Sequence, residues 1–325
     1  MKNYTVKRYE TQDYNHWNAF INDAKNATFL FHRDFMEYHS DRFQDYSLIV
    51  LENNKWIAVL PANRVGEEVF SHQGLTYGGV VFNEKIKLAE AIPVFRTILS
   101  FLHQNAIMKL HLKLIPSIYH DKPADEINYA LFLAEAKLER RDSLSVLDLK
   151  KDINFSKERK QTIRRGIKNG LTVKEEVNFK PFWDELLIPN LSQRYQAKPV
   201  HSLDEIEKLQ KLFPDNIRQF NVYYQDRIVV GTTIFVSKHV AHPQYISGNE
   251  QKNELGSIDF LYHYLITEIF KDKKFFDFGP SHEEDGKKIK EGILFWKESF
   301  GTGTITQDFY EVNTANLVKL ENILI

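Results

Sequence analysis

The order of predicted elements repeats along the chain, and this repeat limits what the sequence can fold into. In each half, a β-hairpin is followed by a helix and then by an apolar strand. The first hairpin is "DYSLIVLENNKWIAVLPAN", with an Asn-Asn turn, and the second is "RQFNVYYQDRIVVGTTIFV". Trp56 precedes Ile228 by 172 positions, and Ile107 precedes Lys273 by 166. The halves share negligible identity, so element order alone predicts two similar units rather than one large sheet.

Periodicity places the remaining elements. In the first half it predicts an early strand over 4–9, helices near 84–104 and 124–136, and strands at "IMKLHLKLI" and "LSVLDL". In the second half it predicts a strand at "PQYISG", a helix over 257–270 and a strand at "KKFFDFG". The apolar tail "ANLVKLENILI" is typical of a docking helix.

Length and composition set broad limits. The chain has 325 residues, of which 42% are hydrophobic, and this supports two domains, predicted at 1–150 and 151–325. The net charge of −1 offers no global attraction to DNA or an anionic membrane. Absence of cysteine excludes disulfides and thiolate chemistry. No signal-peptide core or membrane-spanning apolar run is present, so we expect a cytoplasmic protein without a transmembrane segment.

A basic segment separates the halves. "SKERKQTIRRGIKNG" has Ser156 as a predicted N-cap and Gly170 as a C-terminal stop, with Ile163 and Ile167 four residues apart. Six of its residues are Lys or Arg against one Glu. Such a helix either presents a solvated face or binds RNA phosphates.

A lysine lies beside an apolar stripe in "GILFWKESFG". Ile289, Ile293, Trp296 and Phe300 recur at helical spacing, and Lys297 lies next to them. Such a lysine either extends to water along the apolar face or neutralises a phosphate or a developing oxyanion. The spacing alone leaves both interpretations open.

Polar residues follow the predicted strand "KKFFDFG". His282 and Glu283 come just after its carboxyl end, where open α/β sheets commonly bind ligands. Together with Asp259 they are candidates to accept a proton. Glu284 and Asp285 are explained by the preference of acids for a helix start.

The start of another predicted helix could hold an anion. In "GNEQKNELGSIDFLYHYLI" the first amides, near Gly256 and Ser257, could bind the pyrophosphate of coenzyme A. The loop lacks the Gln/Arg-x-x-Gly-x-Gly/Ala pattern that is usual where an acyltransferase binds this pyrophosphate. Glu250 and Glu254 would also repel phosphate. These two features weaken a simple coenzyme A interpretation.

Two further groups are candidates for substrate contacts. "SQRYQAKPVHSLDEI" combines Arg194, Tyr195 and His201 before a well capped helix, which suits a phosphorylated or carboxylated substrate or a solvated connection equally well.

In the first half, three candidates lie near glycines that allow close backbone approach: His32, His72 and Tyr77. The histidines have no convincing ligand spacing, so no metal is expected. The chain also lacks a Gly-x-Ser-x-Gly elbow, a P-loop and a dinucleotide fingerprint.

The order of "SKERKQTIRRGIKNGLTV", "RYQAKPVHSLDEI", "FNVYYQDRIVVGTTIF", "KKFFDFGPS" and "GILFWKESFG" resembles the second half of the Fem family. The FemABX-like members of that family are peptidoglycan-bridge aminoacyltransferases. "ATFLFHRDFMEYHSDRF", "WIAVLPA" and "GLTYGGVVF" resemble its first half.

This resemblance implies an α/β (mixed α+β) fold with two tandem GNAT-like domains, each a largely antiparallel sheet flanked by helices. It implies an acyl donor, either acyl-CoA or aminoacyl-tRNA, with no tightly bound cofactor, and an amine-bearing envelope or glycan precursor as acceptor. Lys297 matches the family lysine that stabilises an oxyanion or a tRNA phosphate. Arg194 and Tyr195 fall where the family contacts substrate phosphate.

The sequence also departs from the family. The first-domain lysine that would bind a nucleotide-linked precursor is missing, and no long helical hairpin interrupts the second half. We therefore expect a GNAT/Fem-like N-acyltransferase that transfers an acetyl or aminoacyl group. The alternatives are an aminoacyl-tRNA-dependent peptidoglycan-bridge enzyme and a non-catalytic module that binds a glycan or a partner.

Overall fold

The segment from Ser143 to Ile305 forms one compact unit, and the chain on either side of it forms the other. The computed structural model describes residues 3–323, apart from the side chains of Arg194 and Tyr195. The N-terminal unit holds the chain up to Asp142 together with the segment from Thr306. The division into domains at 150 and 151 stays a prediction, and the compact units assign the final segment to the N-terminal unit.

The strands range in length from two to twelve residues. In chain order they are β1 (Tyr4–Arg8), β2 (Gln44–Asp45), β3 (Leu48–Glu52), β4 (Lys55–Leu60), β5 (Asn63–Val65), β6 (Glu68–Phe70), β7 (Val81–Phe82), β8 (Lys109–Lys113), β9 (Lys137–Asp148), β10 (Thr172–Glu176), β11 (Ile217–Tyr224), β12 (Arg227–Val236), β13 (Val240–Gly248), β14 (Phe275–Pro280), β15 (His282–Glu283), β16 (Lys288–Ile289) and β17 (Gly303–Asn313).

Helices separate these strands. They are α1 (Tyr14–Asp23), α2 (Arg33–Met36), α3 (Leu88–Gln104), α4 (Glu126–Leu133), α5 (Lys157–Lys168), α6 (Lys180–Phe182), α7 (Ile188–Tyr195), α8 (Leu203–Leu212), α9 (Lys252–Leu255), α10 (Ser257–Tyr264) and α11 (Glu291–Glu298). Two π-helical segments, Trp183–Leu187 and Leu265–Ile269, adjoin α6 and α10.

The N-terminal unit packs α3 and α4 against apolar strand faces. Strands β1, β3, β4 and β7 form an antiparallel sheet in that order. The other strands of the unit lie side by side in the order β17, β8, β6, β5, β2. The predicted hairpin is confirmed as β3 and β4, and both turn residues, Asn53 and Asn54, have positive φ. Asparagine tolerates this conformation, which matches the twist of a tight hairpin.

The C-terminal unit is built on one sheet in the order β10, β11, β12, β13, β14, β9. Every pair is antiparallel except β13 with β14. Helices α5 and α10 cover its apolar face, and they approach so closely that a Cβ on Gly166 would lie 2.7 Å from Phe260. The predicted mixed fold with largely antiparallel sheets is confirmed.

Several predicted boundaries are corrected. The helix predicted to begin at residue 84 begins at Leu88, and the helix predicted over 124–136 is the shorter α4. The helix predicted over 257–270 is α10 followed by a π turn. The tail forms a 3₁₀ helix, Thr314–Leu320, in the N-terminal unit, while Leu324 and Ile325 lie outside the described residues.

No helix within residues 3–323 is both long and apolar enough to cross a membrane.

Candidate functional site

The parallel strands β13 and β14 leave an opening in the C-terminal sheet. They pair only at Val240 with Phe275 and at Ala241 with Phe276 within the described chain. On the other edge of β13 the register with β12 shifts by one residue, so that Gln244 is an extra residue. Such a bulge bends and twists a strand, and the adjacent Pro243 has no N–H to donate. The backbone N–H and C=O groups that β13 and β14 turn toward each other beyond the pair of Ala241 with Phe276 therefore need other hydrogen-bond partners.

A cavity of about 670 Å³ lies at the carboxyl end of β13. The last three residues of that strand line it, together with residues of α5, α9, α10 and α11. Its apolar lining includes Leu187, Ile258 and Trp296, and cationic side chains come from Arg165 and Lys252. An apolar cavity with a few polar groups is the usual form of a small-ligand site, and this one has room for a substantial organic ligand.

The start of α10 forms one wall of this cavity. Gly256 has a φ of 71°, and a Cβ there would lie 2.5 Å from the carbonyl oxygen of Thr162, so only glycine fits. Ser257 is fully buried, and its hydroxyl donates to the Lys252 carbonyl at 3.3 Å. Gly256 is therefore among the residues that line the cavity, whereas the buried Ser257 is not, and the predicted contact of both with coenzyme A stays a prediction.

Asp259 is held in a buried ion pair. Its carboxylate pairs with the guanidinium of Arg159, and the side chains are 6% and 9% exposed respectively. The indole Nε1 of Trp296 also donates to it at 2.8 Å. The basic segment is confirmed as helix α5, but Arg159 turns inward, whereas Ile167 is exposed rather than buried.

Lys297 is buried and tied to the end of β14. Its Nζ donates to the carbonyl oxygens of Gly279 at 2.9 Å and Pro280 at 2.6 Å. Burial lowers the pKa of Lys297 to about 8, while the negative charge of Asp277 opposes this shift. An ammonium has three donors, so one N–H remains beyond these two bonds.

The apolar stripe predicted beside Lys297 is only partly present. Phe300 is fully buried, but Ile293 is exposed, and Ile289 lies outside the helix, in strand β16. Ile289 pairs with His282 in a two-stranded hairpin, which prevents it from continuing the helical spacing. The hydrogen bonds that hold the Lys297 ammonium therefore come from the end of β14.

His282 and Glu283 form the other strand of that small hairpin. The Nε2 of His282 accepts the backbone N–H of Ser143 at 3.0 Å. Glu283 is exposed and pairs with Lys290 at 2.5 Å. Both residues follow the carboxyl end of β14 as expected, and their role in proton transfer stays a prediction.

Of the substrate residues predicted in the second half, His201 is not among the residues that line the cavity. His201 is buried, and its Nδ1 lies 2.6 Å from the Tyr245 hydroxyl. Arg194 and Tyr195 come at the end of α7, and their side chains lie outside the described residues.

The three candidates of the first half occupy buried or half-buried positions of the N-terminal unit. Tyr77 donates to the Thr28 hydroxyl at 3.0 Å, and the Nε2 of His32 lies 2.9 Å from Asn22 Oδ1. Burial lowers the pKa of His72 to about 3, so it is neutral near pH 7. Their predicted contacts with substrate stay predictions. No cluster that could hold a metal ion occurs among residues 3–323.

Sequence reasoning missed one contact in the opening itself. His242 on β13 and Asp277 on β14 are the first residues past the last ladder pair, and the Nδ1 of His242 lies 3.0 Å from the Asp277 carbonyl oxygen. The proline in "AHPQYISG" was the available signal, because proline inside a strand marks a bulge or an edge.

Comparisons with solved structures agree with this architecture. FemX matches with a TM-score of 0.68 at 10% identity, covering 97% of this chain and 99% of that one. The C-terminal DUF2156 domain assigned to a lysylphosphatidylglycerol synthetase from Agrobacterium fabrum matches at 0.60 and 14% identity, covering 94% and 93%. A tandem GNAT protein from the clavulanic acid biosynthesis pathway matches at 0.50 and 8% identity, covering 96% and 99%.

The class that these matches define is structural. The chain has a Fem-like, tandem GNAT-like fold, as the sequence resemblance implied. No protein-family model and no curated protein sequence matches the chain.

Proposed function

We propose that the protein is an N-acyltransferase whose C-terminal unit holds the acyl donor. The observation that carries this proposal is the cavity of about 670 Å³ at the carboxyl end of β13, in the same unit as the opening between β13 and β14. A donor held there would present its acyl carbonyl to an incoming amine, and positioning of the two reactants would supply much of the rate.

Lys297 would stabilise the charge that develops on the carbonyl oxygen. Its ammonium is fixed by the Gly279 and Pro280 carbonyls, and one N–H remains for a transition-state oxyanion. With a pKa of about 8, most of the population carries the charge near pH 7. The acceptor we propose is an amine of a cell-envelope or glycan precursor, on the strength of the sequence resemblance and the FemX-like fold.

A second candidate is transfer from aminoacyl-tRNA. Helix α5 exposes cations such as Arg164 and Lys168, while Arg165 of the same helix lines the cavity. RNA bound along this face would lose affinity steeply as salt is raised, and replacing Arg164 would reduce that slope. If the donor is acyl-CoA instead, replacing Arg164 should have little effect on donor affinity or on its salt dependence.

The test is a thermal-shift panel of coenzyme A, acetyl-CoA and charged tRNA, followed by transfer assays on amines. Ile246 lies on the cavity wall, so Ile246→Trp would place a larger side chain in the space proposed for the donor, and Val65→Trp at an exposed position of β5 is the matched control. At 100 times the Kd, a donor stabilises the folded state by about 2.7 kcal/mol. We expect wild type and V65W to shift and I246W to remain unchanged. Absence of any shift, or an equal shift in I246W, would refute a donor in this cavity.

A further inference from the structure

The opening between β13 and β14 contains a histidine with a fixed tautomer. The Nδ1 of His242 lies 3.0 Å from the Asp277 carbonyl oxygen and 3.3 Å from its carboxylate Oδ2. Both neighbours only accept hydrogen bonds, so the proton of the neutral ring must be on Nδ1. The lone pair is then on Nε2, which makes no hydrogen bond with the residues that the structure describes.

The surroundings fix the ring in place. Asp277 is nearly buried, with a side chain 3% exposed, and its Oδ1 accepts the N–H of Gly279 at 2.8 Å. Gly279 has a φ of 72°, and a Cβ there would lie 3.2 Å from Cε1 of His242, so its lack of a side chain makes room for the ring. The His242 side chain remains 15% exposed. A buried carboxylate that orients one imidazole nitrogen and leaves the other available is the arrangement of an activated base.

The other candidate bases are already engaged. The Asp259 carboxylate is buried against Arg159 and accepts from Trp296, and His282 accepts an amide N–H on Nε2. Glu283 is exposed and paired with Lys290. His242 is also next to the groups assigned above to the oxyanion, since Lys297 binds the Gly279 carbonyl two residues beyond Asp277.

Resting on the proposed function, we propose that His242 is the general base of the transfer and that Asp277 is its positioning residue. The amine nitrogen forms a bond to the acyl carbon as the bond from that carbon to the donor sulfur or ester oxygen breaks. Nε2 of His242 takes the proton lost by the amine, and the imidazolium then returns a proton to the leaving thiolate or alkoxide. The products are an amide and a free thiol or alcohol, and the ring is again neutral.

The decisive experiment compares His242→Gln with His111→Gln under saturating donor and acceptor. His111 is a fair control because it also lies beside a carboxylate, with Nε2 2.8 Å from Glu68, but in the N-terminal unit. General-base catalysis contributes about 10²- to 10⁴-fold, so H242Q should lose that much of kcat with donor binding unchanged. H111Q should behave as wild type. Melting temperatures verify that each variant is folded.

A pH profile gives a readout that a structural role would not change. The Asp277 carboxylate is in contact with His242, and Lys297 binds the segment of β14 that follows Asp277. Because a general base must be unprotonated to accept the amine proton, we expect the acid limb of kcat/KM seen in wild type to be lost in H242Q. Imidazole should partly restore activity to His242→Ala, and Asp277→Asn should lower kcat, because the ring then loses the carboxylate that orients it.

The outcomes separate the two proposals. Transfer by wild type with H242Q within twofold of it and an unchanged acid limb overturns the role of His242 and leaves the N-acyltransferase standing. Absence of transfer by wild type with every donor and amine overturns both.

Discussion

Each unit pairs two strands in parallel, and each parallel pair carries a histidine beside a carboxylate. In the N-terminal unit, β6 and β8 place His111 next to Glu68. In the C-terminal unit, β13 and β14 place His242 next to Asp277. The carboxylate is 39% exposed in the first pair and 3% in the second. The same pair of residue types is therefore a surface contact in one unit and a nearly buried contact in the other.

The strand edges beyond these pairs differ as well. Past the β6–β8 ladder, backbone bonds continue from Ser71 N to the His111 carbonyl and from Gly78 N to that of Lys113, at 2.8 and 2.6 Å. Past the β13–β14 ladder, the next carbonyl oxygen, that of Asp277, is contacted by the side chain of His242 instead of by the backbone of β13. A closed edge satisfies its own polar groups, whereas an opened edge needs side chains or a ligand to do so. This contrast supports placing the acyl donor in the C-terminal unit.

The largest expected effect concerns buried arginines. Arg159 and Asp259 are both buried, so Arg159→Met should cost about 3–5 kcal/mol of unfolding free energy by leaving a buried charge unpaired. Arg33 in the N-terminal unit is equally buried, but its partner Asp45 is 34% exposed, so Arg33→Met should cost less, about 1–3 kcal/mol. Urea titration measures both. Equal costs would show that partner burial does not distinguish the units.

The next effect concerns two buried lysines that donate to backbone carbonyls. Lys113 binds the Leu75 carbonyl at 2.7 Å, and burial lowers its pKa to about 8, as it does for Lys297. If Lys297 is the oxyanion donor as proposed, Lys297→Met should reduce kcat by about 100- to 1000-fold. Lys113→Met should leave the kcat of the folded protein near that of wild type.

Single-turnover transfer, normalised to the folded fraction, measures this difference between the lysines. If Lys297→Met and Lys113→Met both lose little kcat, Lys297 has only a structural role.

The smallest effect concerns two glycines with positive φ. Gly66 has a φ of 58°, and a Cβ added there would meet no atom within 4 Å, so Gly66→Ala should cost about 1–2 kcal/mol from backbone strain alone. Gly256→Ala meets the Thr162 carbonyl as well and should cost about 1–3 kcal/mol more. Thermal unfolding with and without donor measures the loss of stability in each variant. Equal losses in the two variants would show that α5 and α10 move apart at little cost to accommodate the added methyl group.

Much of the fold was predictable because its signals are local. Alternation and the Asn53-Asn54 turn predicted β3 and β4, and helical spacing predicted α5 and most of α3 and α10. Predicted element boundaries were wrong where contacts with another segment outweigh local propensity. Ile289, for example, pairs with His282 in a hairpin instead of joining α11. The tail, predicted as a docking helix, forms a 3₁₀ helix, and its Leu320 joins the core of the N-terminal unit.

The candidate site was predictable in part. Lys297 and the start of α10 were found by spacing and by the resemblance, because each lies in a recognisable local pattern. The pairing of His242 with Asp277 spans 35 positions, and that of Arg159 with Asp259 spans 100. No periodicity links residues so far apart.

By itself the sequence determined the order of the elements, the two-unit repeat and the lysine of the last α-helix, since all three can be read from local patterns of a few residues. Only the tertiary structure decided which parallel strand pair stays closed and which opens, where the cavity lies and how the ring of His242 is oriented. Those properties depend on strand register and on burial, and both are set by contacts between segments distant in the chain.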